Sequence, residues 1–327
     1  MKNKEKNMLS QTATKVRFNS KIWSGIKTDR SLRKKLADDV NINNDKHLLV
    51  SKHLVGFNSS KYFRRITGKV RSESYYPLTC AWDDSSADAT GKMQSGWRLC
   101  ANSLLDQLQE SMEKARTEFF KEVDGFCKDY PRYVEEARHN LGDAFDENDY
   151  PKIEEIRERF RFSFELEELP SFSNSSDIRL NVSESMRQRI VADTENRMRN
   201  NVSNIFKTTV DALLEQVDHI SEKVESYDPN NKQKGGFFKN SSFDKLRKAV
   251  EVMPSINKDI LGDDKQIKNA HQNLLRVLAS IDSIDDLRGD TKDSDAKRKK
   301  VASDLKKAVD PLKNDFLGKL YGGNNND

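Results

Sequence analysis

Apolar positions recur along most of the chain at three- and four-residue steps, the spacing of one-sided helices. Leu104, Leu105, Leu108, Met112, Ala115, Phe119, Val123 and Phe126 trace one such stripe within residues 95–139. Pro131 predicts a break or kink in it, because proline lacks a donor N–H and crowds the preceding turn. Ser183, with Met186 three residues on, opens a second long helix. Within it Phe206, Val210, Leu213, Val217, Ile220, Val224 and Tyr227 step alternately by four and three, a heptad seam. That seam suits either an antiparallel helix pair inside one chain or self-association of two chains, and spacing leaves both open. Ser241 or Ser242 can cap a helix over 243–253, halted by Pro254. Asp263 or Asp264 can cap the next, through Ile267, Leu274, Leu275 and Leu278. A last stripe carries Val301, Leu305, Ala308, Leu312, Phe316 and Leu320, with an interruption predicted at Pro311.

The N-terminal third is less regular. Phe18, Ile22, Trp23 and Ile26 fall where one helical face would place them, and Ser31, Leu32 and Leu36 predict a short basic helix. Residues 48–66 resume an apolar pattern that predicts a helix ending near Gly68, and 67–97 read as a long loop. A short helix is expected from Lys152, after Pro151. The period changes at 159–168, RFRFSFELEE, where Phe160, Phe162, Phe164 and Leu166 alternate with charged and polar residues. Period two predicts a half-buried strand, with a hairpin partner at 178–182. It is the one clear strand signal in the pattern. The expected fold is therefore mainly α: an elongated helical bundle or coiled-coil hairpins with one small β-hairpin. The expected organisation is a basic region over 1–96, a helix-plus-hairpin core over 97–182, a helical region over 183–321 and a disordered tail over 322–327.

Composition supports that class. Of 327 residues, 34% are charged and only 35% hydrophobic, too few for the buried parallel strands of a large α/β enzyme. No apolar run approaches the roughly 20 residues of a membrane span, and the basic start MKNKEKNMLSQ lacks the apolar core of a secretory signal. Three scattered cysteines fit a reducing compartment. The net charge of +4 hides a strong polarity. Residues 1–80 hold eighteen Lys/Arg against six Asp/Glu, residues 81–170 twelve against twenty-two, and the remainder is nearly balanced. A basic head and an acidic middle can mark an anion-binding arm, or two segments that fold together and cancel.

Motifs of catalysis are missing from the sequence. There is no GxxxxGK[ST], GxGxxG, HExxH or GxSxG, and His47, His53, His139, His219 and His271 are too scattered for a metal pair. The acidic stretches 83–88 and 143–149 lack the central glycine and terminal glutamate of a calcium loop. No catalytic residue, cofactor or metal is expected. The strongest candidate for binding is the basic head, where Lys52, Lys61, Tyr62, Phe63, Arg64, Arg65, Lys69 and Arg71 interleave cations with aromatics. Cations neutralise phosphates and aromatic rings stack on unpaired bases, so the mixture suits single-stranded nucleic acid. The competing reading makes the aromatics core residues and leaves the cations to water or to the acidic middle.

Landmarks run in the order IWSGIK, YYPLTCAW, GWRLC, FCKDYP, LGDAFDENDYP, RFRFSFELEELP and SDIRLNV. In this the chain resembles a family of uncharacterised, mostly phage-encoded proteins classed as a domain of unknown function, most densely over 97–182. Genes of that family lie near those of a MoxR/CobS-like AAA+ ATPase and a von Willebrand A-type protein. The resemblance implies a phage origin, a host-cytoplasm setting and work beside an ATPase, and it carries no catalytic residues. The expected function is a non-enzymatic helical interaction protein, an adaptor or regulatory partner of an AAA+ system. Homo-oligomerisation through the heptad helix, nucleic-acid binding by the basic head and a structural place in the virion are the alternatives.

Overall fold

A computed structural model describes residues 11–56, 60–82, 96–169, 183–229 and 238–314. Among them the chain is mainly α-helical, with a small antiparallel sheet. The elements run β1 (Ala13–Lys21), β2 (Ile26–Thr28), α1 (Arg30–Asp39), β3 (Ser51–His53), α2 (Lys61–Val70), β4 (Thr79–Ala81), β5 (Arg98–Ala101) and α3 (Asn102–Leu141). There follow α4 (Ile153–Ile156), β6 (Arg161–Glu167), α5 (Glu184–Glu225), α6 (Asn240–Asp259), α7 (Lys265–Ala279), α8 (Lys292–Ala308) and α9 (Asp310–Asn314). Two compact units divide the chain. One comprises Met1–Arg17, Tyr76–Gln107 and Leu166–Asp327, the other Phe18–Tyr75 and Leu108–Glu165. Each is assembled from separated stretches of the chain.

In the first unit, Ser183 accepts a hydrogen bond from the Met186 N–H and starts α5. The heptad seam lies inside this unit. Val210, Leu213, Val217, Ile220 and Val224 are buried against Phe243, Leu246 and Val250 of α6, Leu274 of α7, and Val301 and Leu305 of α8; Phe206 and Tyr227 pack at its margin. Lys306 pairs with Glu225 at 3.0 Å and Lys313 with Asp218 at 3.3 Å, so α8 and α9 run antiparallel to α5. The seam is thus packed against helices of its own unit, one of the two arrangements that its spacing allows. Asp264 caps α7 through the Gln266 and Ile267 N–H groups. The interruption near Pro311 is observed, α8 ending at Ala308 and α9 beginning at Asp310; Phe316 and Leu320 lie outside the described residues.

Pro254 does not halt its helix, for α6 runs from Asn240, with Lys239 rather than Ser241 or Ser242 at its cap, to Asp259. Proline removes the N–H that would bond the carbonyl four residues back, and here that residue is Val250. His271 of α7 supplies the missing donor by hydrogen-bonding the Val250 backbone. The first unit also holds β4, β5 and the start of β1, with Thr79 opposite Cys100 and Cys100 opposite Thr14 in an antiparallel ladder.

The second unit is built on aromatic side chains. Phe63 of α2 meets Phe119 and Phe126 of α3 and Phe160 at ring-centre distances of 5.5, 6.1 and 4.8 Å. Phe18 of β1 lies 4.6 Å from Phe162 of β6. The strand expected at 159–168 is therefore present, but its neighbour in the sheet is β1. The proposed hairpin partner at 178–182 lies outside the described residues. Nor is this the sole strand. Residues around Phe18 form β1, where Val16 and Phe18 alternate inward, and the spacing of Phe18, Ile22 and Ile26 misleads because a turn at Gly25 separates two strands. Gly25 adopts φ +59°, and a Cβ there would stand 2.6 Å from Val55 Cγ2.

Residues 48–66 are likewise not one helix: β3 precedes α2, and the expected loop after Gly68 begins as the end of α2, a π-helical turn (Arg71–Tyr75) and β4. α1 and α4 stand where they were expected. α3 continues through Pro131, because Phe126, Tyr130 and Ala137 bury the same face on both sides of it. No helix among the described residues is long and apolar enough to cross a membrane.

Candidate nucleic-acid interface

The eight residues of the basic head separate into two groups. Lys52, Phe63 and Arg71 belong to the fold. Lys52 is buried on β3, 2.6 Å from Asp149, 3.5 Å from Asp29 and 2.6 Å from the Ala144 carbonyl. Burial alone would lower its pKa, but the two carboxylates overcome that and hold it above the ordinary lysine value. Asp149 is buried too, which opposes ionisation, yet hydrogen bonds from Lys27 and Lys52 draw its pKa below normal. Asp29 is lowered chiefly by the Leu32 N–H and the Ser31 hydroxyl, since it caps α1. Arg71 turns inward, donating to the Ser20 hydroxyl at 3.0 Å and lying over the Phe18 ring. Basic head and acidic middle therefore do cancel in part, at Lys27 and Lys52 with Asp149 and, in the first unit, at Lys15 with Glu167.

The other five share the outer face of α2. Phe63, Ile66, Thr67 and Val70 face inward, and the Thr67 hydroxyl donates to the Phe63 carbonyl. Lys61, Tyr62, Arg64, Arg65 and Lys69 are left exposed. Tyr62 is 56% exposed, contrary to the reading that made it core, and the Arg65 guanidinium sits 5.3 Å from its ring centre. Gly68 lies between the cations with no heavy atom near its missing Cβ, so a ligand backbone can approach closely there. None of the four cations forms an ion pair among the described residues, and α2 contains no carboxylate. The contrast with α3 is plain, where Lys114 pairs with Glu110 and Arg132 with Glu136.

Lys61, Arg65 and Lys69 follow one another at four-residue steps, about 6 Å of helix rise. Like charges at that spacing oppose helix formation by about 0.2–0.5 kcal/mol per pair, and a cation in the first turn opposes the helix dipole. The sequence thus keeps an arrangement that weakens its own helix. A bound polyanion would reverse the sign of both effects.

Other chemistry is sparse. Among the described residues no three His, Cys, Asp or Glu side chains converge as metal ligands. Burial pushes the Cys80 thiol up and the Cys100 thiol to about 12, which makes both poor nucleophiles. A pocket of about 170 Å³ beside Pro254 and His271 is smaller than the ~300–1,000 Å³ typical of ligand sites. No protein-family model, no curated protein and no solved structure matches the chain.

Proposed function

We propose that the chain is a non-enzymatic helical binding protein whose α2 outer face takes the phosphate backbone of single-stranded nucleic acid. The observation that carries this reading is the set of four exposed cations, unpaired among the described residues, beside the exposed Tyr62 ring. The cations supply the sequence-independent electrostatic attraction, and Tyr62 offers a surface for one base to stack. Fluorescence anisotropy with labelled single-stranded DNA and RNA tests it. Binding near 100 mM salt that weakens about tenfold or more in Arg64→Glu/Arg65→Glu supports the reading; equal binding by the variant, or none by the parent, contradicts it.

A role as adaptor or regulatory partner of an AAA+ ATPase, within a host cytoplasm, is the second reading. It rests on the resemblance to phage-encoded proteins. Recovery of an AAA+ ATPase or von Willebrand A-type protein with the tagged chain from infected cells supports it, and recovery of neither opposes it.

A further inference from the structure

Twelve large hydrophobic side chains are exposed among the described residues, and six of them, Ile26, Leu32, Leu36, Val40, Ile42 and Leu49, fall within one short stretch of the second unit. Three line up along α1: Leu32 and Leu36 within it and Val40 at its C-cap. Leu32, Leu36 and Val40 are 40, 42 and 57% exposed and follow at four-residue steps, so they drift by only roughly 80° around the helix. The helix itself is well anchored. Asp29 caps it while held by Lys52, Arg33 pairs with Asp45 at 3.1 Å, and Ala37 is its buried residue. An apolar stripe on an anchored helix, left uncovered among the described residues, is a docking face.

We infer that α1 is a self-association face, two copies pairing antiparallel across Leu36. The two-fold geometry decides the occupant. With an axis at Leu36, Leu32 of one copy falls opposite Val40 of the other, and Leu36 meets its own equivalent, so the stripe is complementary to itself. The flanking charges agree. Lys35 and Asp39 are exposed, lie on the same side of the stripe, and form no ion pair among the described residues. Within one helix they sit in the less favourable order, cation before anion. Across the axis, Lys35 of one copy lies about 3 Å along the helix direction from Asp39 of the other, half their separation within one helix. Two cross-pairs form for each dimer. The contact is small beside the roughly 1,200–2,000 Å² of a stable interface, so association is weak and depends on concentration.

Sedimentation equilibrium of the full chain reads this directly, and independently of nucleic-acid binding. The weight-average mass should climb from 37.6 kDa toward about twice that value as concentration rises from ~1 to several hundred µM. Leu36→Glu, at an exposed position, should keep the chain monomeric with an unchanged circular dichroism spectrum. Lys35→Asp and Asp39→Lys should each weaken the dimer at least threefold, and the double variant should restore it. In a Cys127→Ser background, Leu36→Cys should form a disulfide-linked dimer. A chain that stays monomeric throughout, a dimer indifferent to Leu36→Glu, or a charge swap that restores nothing overturns the inference. A different protein seated on the stripe of a monomeric chain does so as well.

Discussion

Two residue-scale arrangements hold the chain together in ways that spacing does not reveal. The first is the buried cluster of Lys52, Asp29 and Asp149. Removing one member leaves a buried charge short of its partner, so Asp149→Asn should lower stability by about 3 kcal/mol, measured by urea denaturation. Both carboxylates titrate below their ordinary 3.8. Their stabilisation is therefore complete above that value and is lost as pH falls through the lower, folded-state values. Asp149→Asn should flatten that acid limb of the stability profile; an unaltered limb would show that the cluster is not responsible. The second is His271, whose pKa is lowered mainly by burial. Its contribution is complete above 6.5 and declines as pH drops below. His271→Leu should cost about 1 kcal/mol by leaving the Val250 carbonyl bare. In a Pro254→Ala background, where a backbone N–H returns, the cost should largely vanish, and a double-mutant cycle with no coupling would refute the pairing.

At the scale of elements, periodicity was informative where an element is long and one-sided. The stripe of α3 and the seam of α5 point inward, as do Phe160 and Phe162 of the alternating stretch, whereas Leu166 at the end of β6 is 49% exposed. The short strands were not legible. β2, β3 and β4 are three residues each, and their pairing partners lie far away in sequence, where no local spacing records them. Prolines were an uneven guide. Pro311 marks a true break, whereas Pro131 and Pro254 are tolerated because tertiary packing and one histidine donor replace what proline removes. The seam of α5 is buried against α6, α7 and α8, partners that its own spacing does not name. Ile220→Asp should accordingly disrupt the first unit by at least about 3 kcal/mol and broaden its thermal transition. A variant as stable as the parent would mean that the seam is not core.

For the whole molecule, the polarity of charge along the sequence resolved into two components. Part of the basic head neutralises the acidic middle at buried or half-buried pairs. Of the cations left without an ion pair among the described residues, Lys61, Arg64, Arg65 and Lys69 share the outer face of α2, and with Tyr62 they are the candidate site. Those five belong to the eight residues that the interleaving of cations and aromatics singles out in the sequence. Lys52, Phe63 and Arg71 share that composition, and only their partners distinguish them. The apolar stripe of α1 was visible as Leu32 and Leu36, but nothing local said that it would stay uncovered.

The central claim, that the α2 face takes a nucleic-acid backbone, is tested most directly by the salt dependence of single-strand binding. If Lys61, Arg64, Arg65 and Lys69 each neutralise one phosphate, log K against log salt should have a slope of roughly −3. Lys61→Gln/Arg65→Gln should then bring the slope to roughly −1.5. A parent slope near zero, or one that the double substitution leaves unchanged, would contradict the account.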